Sequence, residues 1–443
     1  MRVPCLGLRS GLVASLALLL TAPVLPAARA ADDKPGNAPE KRVVAGTCVT
    51  ATASLLRREG PGKPWQVVKE GEEVFTGDEL LGGIAAAVDS KNGAVRLVVV
   101  GDVDGRAPLP VLETAFVLHD PNGADLDFTL ERGRVRLINL KKDGAAKVKL
   151  RVVQAEVEIT LAEPGATVSL EIYGRWPRGV PFRKEPKPGE EPVQAWTVLA
   201  IKGEVEIKGP RAERLLKAPP GLAVLEGDSS QDAPPSAAFL KELPAWAPEH
   251  ISDMSSTELG KKKEAVILRW RKEAAEKGLA PAMDALLASD DPLERRFGIL
   301  MLGATDDMQR LGDLLRETKH QDVWDAAIIA IRHWIGRGPG QDQKLYNRLV
   351  ERKYSPREAE SFLELLHSFG DEELTRPETY QVLINYLGSE RPSLRQLAYW
   401  HLSRLAPAGR KLGYDPMAPK EQRDAAIKEW RKLELPPPPA KEK

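Results

Sequence analysis

The side chains best suited to metal binding or nucleophilic chemistry are few and widely spaced. The chain has 443 residues, with six histidines and two cysteines. The histidines are His119, His250, His320, His333, His367 and His401. No two of them stand four residues apart, the spacing that lets one face of a helix hold a zinc ion. The pattern predicts no metal site and no cofactor, and it favours packing roles for His333 and His401 within apolar helices.

Acidic and glycine-rich turns give equally weak signals of chemistry. Asp102-Val103-Asp104-Gly105 opens like a calcium loop but lacks the closing glutamate and the twelve-residue frame. Gly60-Pro61-Gly62-Lys63 lacks the phosphate-loop frame. Among 64 acidic residues, no spacing marks a carboxylate pair for glycoside hydrolysis. We therefore expect a protein that is not an enzyme, with a glycan-processing enzyme as an alternative.

The first 30 residues have the three parts of a secretory signal peptide. Arg2 and Arg9 precede an apolar core that ends at two prolines, and Ala28-Arg29-Ala30 forms an A-x-A cleavage site. We expect cleavage after Ala30, export to the periplasm or the extracellular space, and no stable transmembrane anchor. Residues 31–41 are polar and predict a flexible lead-in.

Charge and cysteine content restrict the partners and the covalent chemistry. The chain has 64 basic and 64 acidic residues, and removal of the leader takes three arginines, which leaves a net charge of about −3. This balance argues against a nucleic-acid partner, which requires a basic surface. Cys48 is the only cysteine after the leader. A strand position in Thr47-Cys48-Val49-Thr50 predicts a buried, apolar role for it, rather than a redox role.

Residues 42–228 alternate apolar and charged side chains with a period of two. Ala146–Thr160 and Gly203–Lys208 show this alternation, which is typical of half-buried antiparallel strands. Turn residues separate the strands, as at Asn92-Gly93 and Asp143-Gly144. We predict an all-β sandwich or roll with a long loop from Arg175 to Pro192.

Four segments of the β region follow one another as short strands with glycine-bearing turns or as a hairpin: Gly71–Leu80, Leu130–Arg136, Val198–Ile207 and Leu215–Glu226. In these segments the chain resembles the FecR-like periplasmic domain of bacterial signal regulators, and Leu215–Glu226 resembles its closing hairpin. The resemblance implies a periplasmic β module. The family's membrane-bound regulators place a cytoplasmic segment and a transmembrane helix before this domain, and this chain has neither pattern. The resemblance therefore does not imply that this chain relays a signal across the inner membrane.

After a proline-bearing linker predicted at 229–250, the apolar period changes to that of helices. Helix starts are marked at Asp291, His320, Ser355 and Arg391 by cap residues or by proline in the first turn. These starts lie 29, 35 and 36 residues apart. Alignment on them brings Leu302, Ile331, Leu366 and Leu402 to one position. Residues 251–435 therefore resemble HEAT-like repeats, which implies an α-solenoid. Residues 436–443 predict a disordered proline-rich tail.

The expected function is that of an exported, non-enzymatic binding or scaffolding protein of the cell envelope. Solenoids generally bind proteins, so the partner is expected to be an envelope protein or a cell-wall glycan. Arg295, Asp325 and Arg395 lie off the apolar stripe of three repeats and are the candidate partner-binding residues. The FecR resemblance supports an alternative role in cell-surface signalling.

Overall fold

The computed structural model describes residues 42–102, 113–152, 155–210, 212–229, 235–249, 257–315 and 320–433. A β region is followed by a helical region, as the change of period predicts, and both belong to one compact unit that spans residues 41–443. The predicted leader, lead-in and tail lie outside the described residues, as does most of Asp102–Gly105.

The β region contains 17 described strands. They are β1 Val44–Cys48, β2 Leu55–Arg58, β3 Gln66–Val67, β4 Glu73–Phe75, β5 Glu79–Gly82, β6 Ala87–Ser90, β7 Val95–Val99, β8 Thr114–His119, β9 Leu126–Asn139, β10 Ala146–Val152, β11 Ala155–Leu161, β12 Thr167–Arg175, β13 Val193–Lys202, β14 Glu204–Gly209, β15 Ala212–Lys217, β16 Gly221–Asp228 and β17 Ser236–Leu240.

The strands form two sheets that share β9. Sheet A has the order β4-β1-β6-β7-β9-β12-β13-β16-β17, and sheet B has the order β3-β2-β5-β8-β9-β10-β11-β14-β15. The β9–β10 pair is parallel, and the other described pairs are antiparallel. β9 changes sheets at Gly133, whose φ is +99°. Any side chain there would meet the backbone of Thr114, because a Cβ atom would lie 2.3 Å from its Cα atom.

One apolar core lies between the sheets. Phe116 and Phe128 are fully buried there, together with alternate aliphatic residues of both sheets. Cys48 lies in the same core with 0% exposure, as its strand position predicts. The expected closing hairpin at Leu215–Glu226 is wrong, because β15 pairs in sheet B and β16 pairs in sheet A.

The stretch predicted as a linker covers the outer face of sheet A. β17 pairs with β16, and Ala247 is 1% exposed in a small core with Leu199. Trp246 lies over the guanidinium group of Arg134, at 4.9 Å. Arg136 donates to the carbonyl oxygens of residues 248 and 249, at 2.7 and 2.9 Å. This stretch therefore shields arginines of the sheet from water.

The helical region contains eleven described α-helices. They are α1 Glu258–Lys277, α2 Leu279–Leu287, α3 Pro292–Ala304, α4 Met308–Leu314, α5 Gln321–Ile335, α6 Gln341–Glu351, α7 Pro356–His367, α8 Asp371–Leu374, α9 Pro377–Tyr386, α10 Pro392–Leu405 and α11 Lys420–Trp430.

The predicted helix starts are confirmed at α3, α5, α7 and α10. Asp291 caps α3 by accepting from the backbone N–H of Leu293, and Ser355 forms a capping box with Glu358 at α7. The helices α3 and α5 pack together, as do α7 and α10. The four aligned apolar positions are equivalent in burial, at 0 or 1% exposure: Leu302, Ile331, Leu366 and Leu402.

Candidate functional site

The junction between the β region and the helices is a continuous packed interface. Leu56, Leu81 and Ala115, on the outer face of sheet B, belong to the same apolar core as the helices. Apolar contacts therefore join the two halves, although the sequence predicts a linker between them. Alternation of apolar residues along a strand marks a buried face, but it does not show that the opposite face is also covered.

A network of buried ion pairs surrounds this apolar contact. Arg337, two residues after the end of α5, pairs with Glu113 before β8 and with Asp306 after α3, both at 2.6 Å. Arg132 of β9 pairs with Glu113 at 3.1 Å, and Arg58 of β2 pairs with Asp306 at 2.7 Å. The side chains of the three arginines are each 12% exposed. The network thus joins strands to helices through charges that have little access to water.

The electrostatics of the network suit a structural role. Burial alone would raise the pKa of Glu113, but Arg337 and Arg132 offset this effect and lower the pKa to about 2. Burial lowers the pKa of the neighbouring His333 to about 4. At neutral pH Glu113 is therefore ionised and His333 is neutral. Glu113 cannot serve as the protonated acid that glycoside hydrolysis requires.

Beside the network lies a cavity of about 250 Å³ between sheet B and helices α1 and α3. Its walls are largely apolar, and they come from both halves of the chain: Leu56, Leu81, Val99, Val100, Val266, Ile267, Trp270, Phe297, Leu300 and Met301. Cavities lined in this way at the junction of two structural regions are a common location for ligand sites. We call this space the junction cavity.

Two buried N–H donors line the junction cavity without an acceptor. Trp270 is 4% exposed and its Nε1 atom has no hydrogen-bond partner, and the Nε atom of Arg271 is also buried and unpartnered. Another nitrogen of Arg271 donates to the carbonyl oxygen of Ile84. Burial lowers the pKa of Arg271 to about 10, so the guanidinium group remains charged at neutral pH. Unpaired buried donors are costly, and a ligand that brings acceptor atoms would relieve that cost.

The local backbone allows Arg271 to reach this position. A Cβ atom on Gly83 would lie 2.9 Å from a terminal nitrogen of Arg271. Lys263 and Arg296 also line the cavity, so its lining contains three basic side chains with Arg271 and two acidic ones, Asp102 and Glu113. The carboxylate of Glu113 is already paired with two arginines. The arrangement favours an anionic or acceptor-bearing group attached to an apolar body.

The candidate residues from the sequence do not form this site. Arg295 is 6% exposed and binds Asp322 in a two-pronged ion pair, and Arg395 is 5% exposed and donates to the carbonyl oxygen of Pro416 at 2.7 Å. Asp325 is partly exposed and lies 3.7 Å from Arg404. Both arginines are therefore buried, although the sequence places them off the apolar stripe.

The two buried arginines make the same kind of local contact in two different helices, α3 and α10. Arg295 donates to the carbonyl oxygen of Ser289 at 2.8 Å, and Arg395 donates to that of Ser389 at 2.7 Å. Each arginine thus closes the turn before its own helix. The repeated order of serine, proline and arginine in the sequence is a signal for this role, whereas the position off the apolar stripe is misleading.

His333 and His401 pack as the sequence suggests, and the ring centre of His333 lies 5.1 Å from that of Tyr173. His401 is 4% exposed and its Nε2 atom lies 2.7 Å from the carbonyl oxygen of Leu365. His367 stacks on Trp176 from the long loop after β12, with ring centres 4.1 Å apart. Within the described ranges, no group of three or more His, Cys, Asp or Glu side chains is arranged to share a metal ion. No helix in the described ranges combines the length and the apolar character needed to cross a membrane.

Comparison of the chain with protein-family models, with curated proteins and with solved structures finds no match.

Proposed function

We propose that the chain is an exported, non-enzymatic binding protein of the cell envelope, in which a FecR-like β region and a HEAT-like α-solenoid together hold a ligand at the junction cavity. The observation that carries the proposal is the pair of buried, unpartnered donors on Trp270 and Arg271 in an apolar cavity formed by both regions. The ligand class is an apolar group that bears a carboxylate or another anionic acceptor.

The cavity walls favour a protein partner over a glycan. Aliphatic side chains form most of the lining, and they offer few hydrogen bonds for the hydroxyl groups of a sugar. A partner segment with an apolar side chain beside an acidic group has both features that the cavity complements. Arg271 would bind the acid, and Val266 and Phe297 would contact the apolar part.

The ligand chemistry can be tested with two matched fluorescent probes. Anilinonaphthalene sulfonate is an aromatic anion, and N-phenyl-1-naphthylamine has the same aromatic body without the charge. Arg271→Gln should weaken sulfonate binding at least about tenfold, because hydrogen bonds to charged groups contribute roughly 1.5–3 kcal/mol. Binding of the neutral probe should change little. Equal binding of the sulfonate by the wild type and the variant would contradict the proposed ligand class.

The partner can be tested by photo-crosslinking from two adjacent positions of α1. Ile267 lines the cavity, whereas Leu268 is 53% exposed on the surface. A photoreactive phenylalanine analogue at position 267 should give a protein adduct in intact cells, and that adduct should disappear with Arg271→Gln. The analogue at position 268 is the control. An adduct that cell-wall hydrolases remove would favour the glycan alternative, and identical adducts from both positions would exclude the cavity as the site.

A further inference from the structure

A second cavity lies inside the β sandwich, away from the arginine-lined junction cavity. It has a volume of about 270 Å³ and is bounded by β10, β11 and β14 of sheet B and by β12, β13 and β16 of sheet A. The inward-facing side chains on both walls are aliphatic apart from one tryptophan: Leu150, Val152, Val157, Ile159, Leu170, Ile172, Trp196, Val198, Ile207 and Leu225. We call this space the sandwich cavity.

The distribution of large side chains accounts for the gap between the sheets. Phe116 and Phe128 fill the space between β8, β9 and sheet A, and both are fully buried. The strands around the sandwich cavity supply no phenylalanine to the core. Trp196 lies against Gly227, where a Cβ atom would come within 2.6 Å of the indole ring. The ring therefore rests on the backbone of β16, and the aliphatic walls beyond it remain apart.

The polar residues of the sandwich cavity lie at its mouth. Glu191, Gln194 and Asp228 border the opening, and Gly338 and Pro339 of the α5–α6 loop close one side. Glu171 also borders the cavity, but its carboxylate pairs with Arg134 on the outer face of sheet A. An apolar ligand inside would meet no charged group on the inner walls, and a head group at the mouth would meet two carboxylates.

We infer that the sandwich cavity binds a single hydrocarbon chain whose head group is uncharged or cationic. Apolar cavities of about 150 Å³ remain dry and bind benzene, so a larger aliphatic slot suits a longer apolar ligand. At about 30 Å³ for a group the size of a water molecule, the volume holds a chain of roughly nine carbon atoms. Glu191 and Asp228 disfavour a carboxylate head. The inference does not depend on the proposed function, because it involves neither Arg271 nor α1.

A series of straight-chain alcohols tests the length of the site. The affinity of alcohols with six to fourteen carbons can be measured by their displacement of N-phenyl-1-naphthylamine. This affinity should increase about fourfold per methylene, since each buried methylene contributes about 0.8 kcal/mol. The gain should stop at about nine or ten carbons. Affinity that is independent of chain length, or an absence of saturable binding by the wild type, would overturn the inference.

Two variants with opposite effects test whether the hydrocarbon chain of the ligand occupies the sandwich cavity. Val157→Phe reduces the space at one wall of the cavity, so affinity should stop increasing at a shorter alcohol. Leu225→Ala adds space at the opposite wall, so affinity should stop increasing at a longer alcohol. We call this limiting chain length the plateau. Val382→Phe is the control, because Val382 is 48% exposed on a helix. Circular dichroism verifies the fold of each variant. Folded variants with an unchanged plateau would contradict the assignment.

Separate experiments test the charge of the ligand's head group and whether its hydrocarbon chain comes from a membrane lipid or from a free molecule. Decanoate should bind at least several-fold more weakly than decanol, and Glu191→Gln should reduce that difference. Glu191 is exposed, so this change leaves the core intact. Transfer of a pyrene-labelled chain from phosphatidylethanolamine vesicles, compared with the free labelled alcohol, distinguishes a lipid source from a free one. Tighter binding of decanoate than of decanol would exclude the proposed head group.

Discussion

Arg337 is the side chain whose loss should most directly weaken the junction. It pairs with Glu113 and Asp306 and also donates to the carbonyl oxygen of Gly303 at 2.8 Å. Arg337→Met would leave the nearly buried Glu113 and the partly exposed Asp306 short of a partner. Removal of one member of a buried pair costs about 3–5 kcal/mol. Urea unfolding followed by circular dichroism measures the loss.

An exposed arginine that also pairs with two carboxylates provides the control for that experiment. Arg310 pairs with Asp284 and Asp307, and its side chain is 38% exposed. Arg310→Met should cost no more than about 1 kcal/mol, because water competes for exposed ion pairs. Equal losses for Arg337→Met and Arg310→Met would mean that burial adds nothing to the network.

Buried histidines should make the protein less stable in mild acid. Burial lowers the pKa of His333 and of His367 to about 4 and that of His401 to about 3, against 6.5 for an unperturbed histidine. Between pH 6.5 and 4 the unfolded chain therefore binds more protons than the folded chain, and stability falls as the pH falls. Asp342 opposes this trend below about pH 6, because burial raises its pKa to about 6.

The slope of unfolding free energy against pH checks this expectation. Stability should be lower at pH 5 than at pH 7, and His401→Gln should reduce the slope by up to one proton if the variant folds. A wild-type slope of zero or of opposite sign between pH 7 and 5 would show that these histidines accept protons in the folded state.

At the residue scale, sequence reasoning correctly identified packing roles but not the binding candidates. Cys48 and His401 are buried as expected, since each lies in an apolar run. Arg271 stands in a highly charged helix, and its composition gives no sign that it is drawn into the junction. The apolar spacing of Val266, Trp270 and Ala274 marks the buried face, but the cavity beside it depends on residues nearly 200 positions earlier.

At the element scale, β12 and α5 approach each other through two glycines. A Cβ atom on Gly174 would lie 2.3 Å from the carbonyl oxygen of Gly336. Gly174→Ala should therefore separate the strand from the helix and cost about 1–3 kcal/mol, as overpacking usually does. Gly338→Ala is the control, because nothing lies within 4 Å of its added Cβ atom. Thermal unfolding measures the loss of stability in each variant. Equal losses for Gly174→Ala and Gly338→Ala would contradict this close contact.

The long loop between β12 and β13 strengthens the same contact. The Nε1 atom of Trp176 donates to the carbonyl oxygen of Ile335 at 3.0 Å, and Phe182 stacks against Tyr346 with ring centres 5.5 Å apart. The sequence correctly predicts a loop there because proline and charge are frequent. Its two aromatic side chains are anchors, and the predicted loop gave no indication of the helices on which they pack.

Secondary structure was the most predictable level of this fold. Caps, turn glycines and apolar periods are local signals, and they locate α3, α7 and many β turns. The arrangement of β15 and β16 in different sheets is not local. Likewise, the predicted linker packs on sheet A because Arg134 and Arg136 require cover, and the composition of residues 229–250 does not reveal that requirement.

At the scale of the whole molecule, the β region and the helices should unfold together. A shared apolar core and a buried ion-pair network join them, so neither half retains its packing when the other unfolds. Scanning calorimetry should give one transition whose calorimetric and van't Hoff enthalpies agree. Two separate transitions, or limited proteolysis that yields two stable fragments by cutting between residues 229 and 250, would support independent domains instead.

The junction also has a consequence for synthesis, because its two sides are far apart along the chain. The hydrogen bond from Trp65 to the carbonyl oxygen of Thr305 spans 240 residues. At about 5–20 residues per second, a ribosome needs roughly 10–50 s to add that length. Until the helices are made, Leu56, Leu81 and Ala115 on sheet B have no helices to cover them. A nascent chain halted near residue 249 therefore exposes an apolar surface that promotes aggregation. Prompt completion of the helices covers this surface and protects the polypeptide.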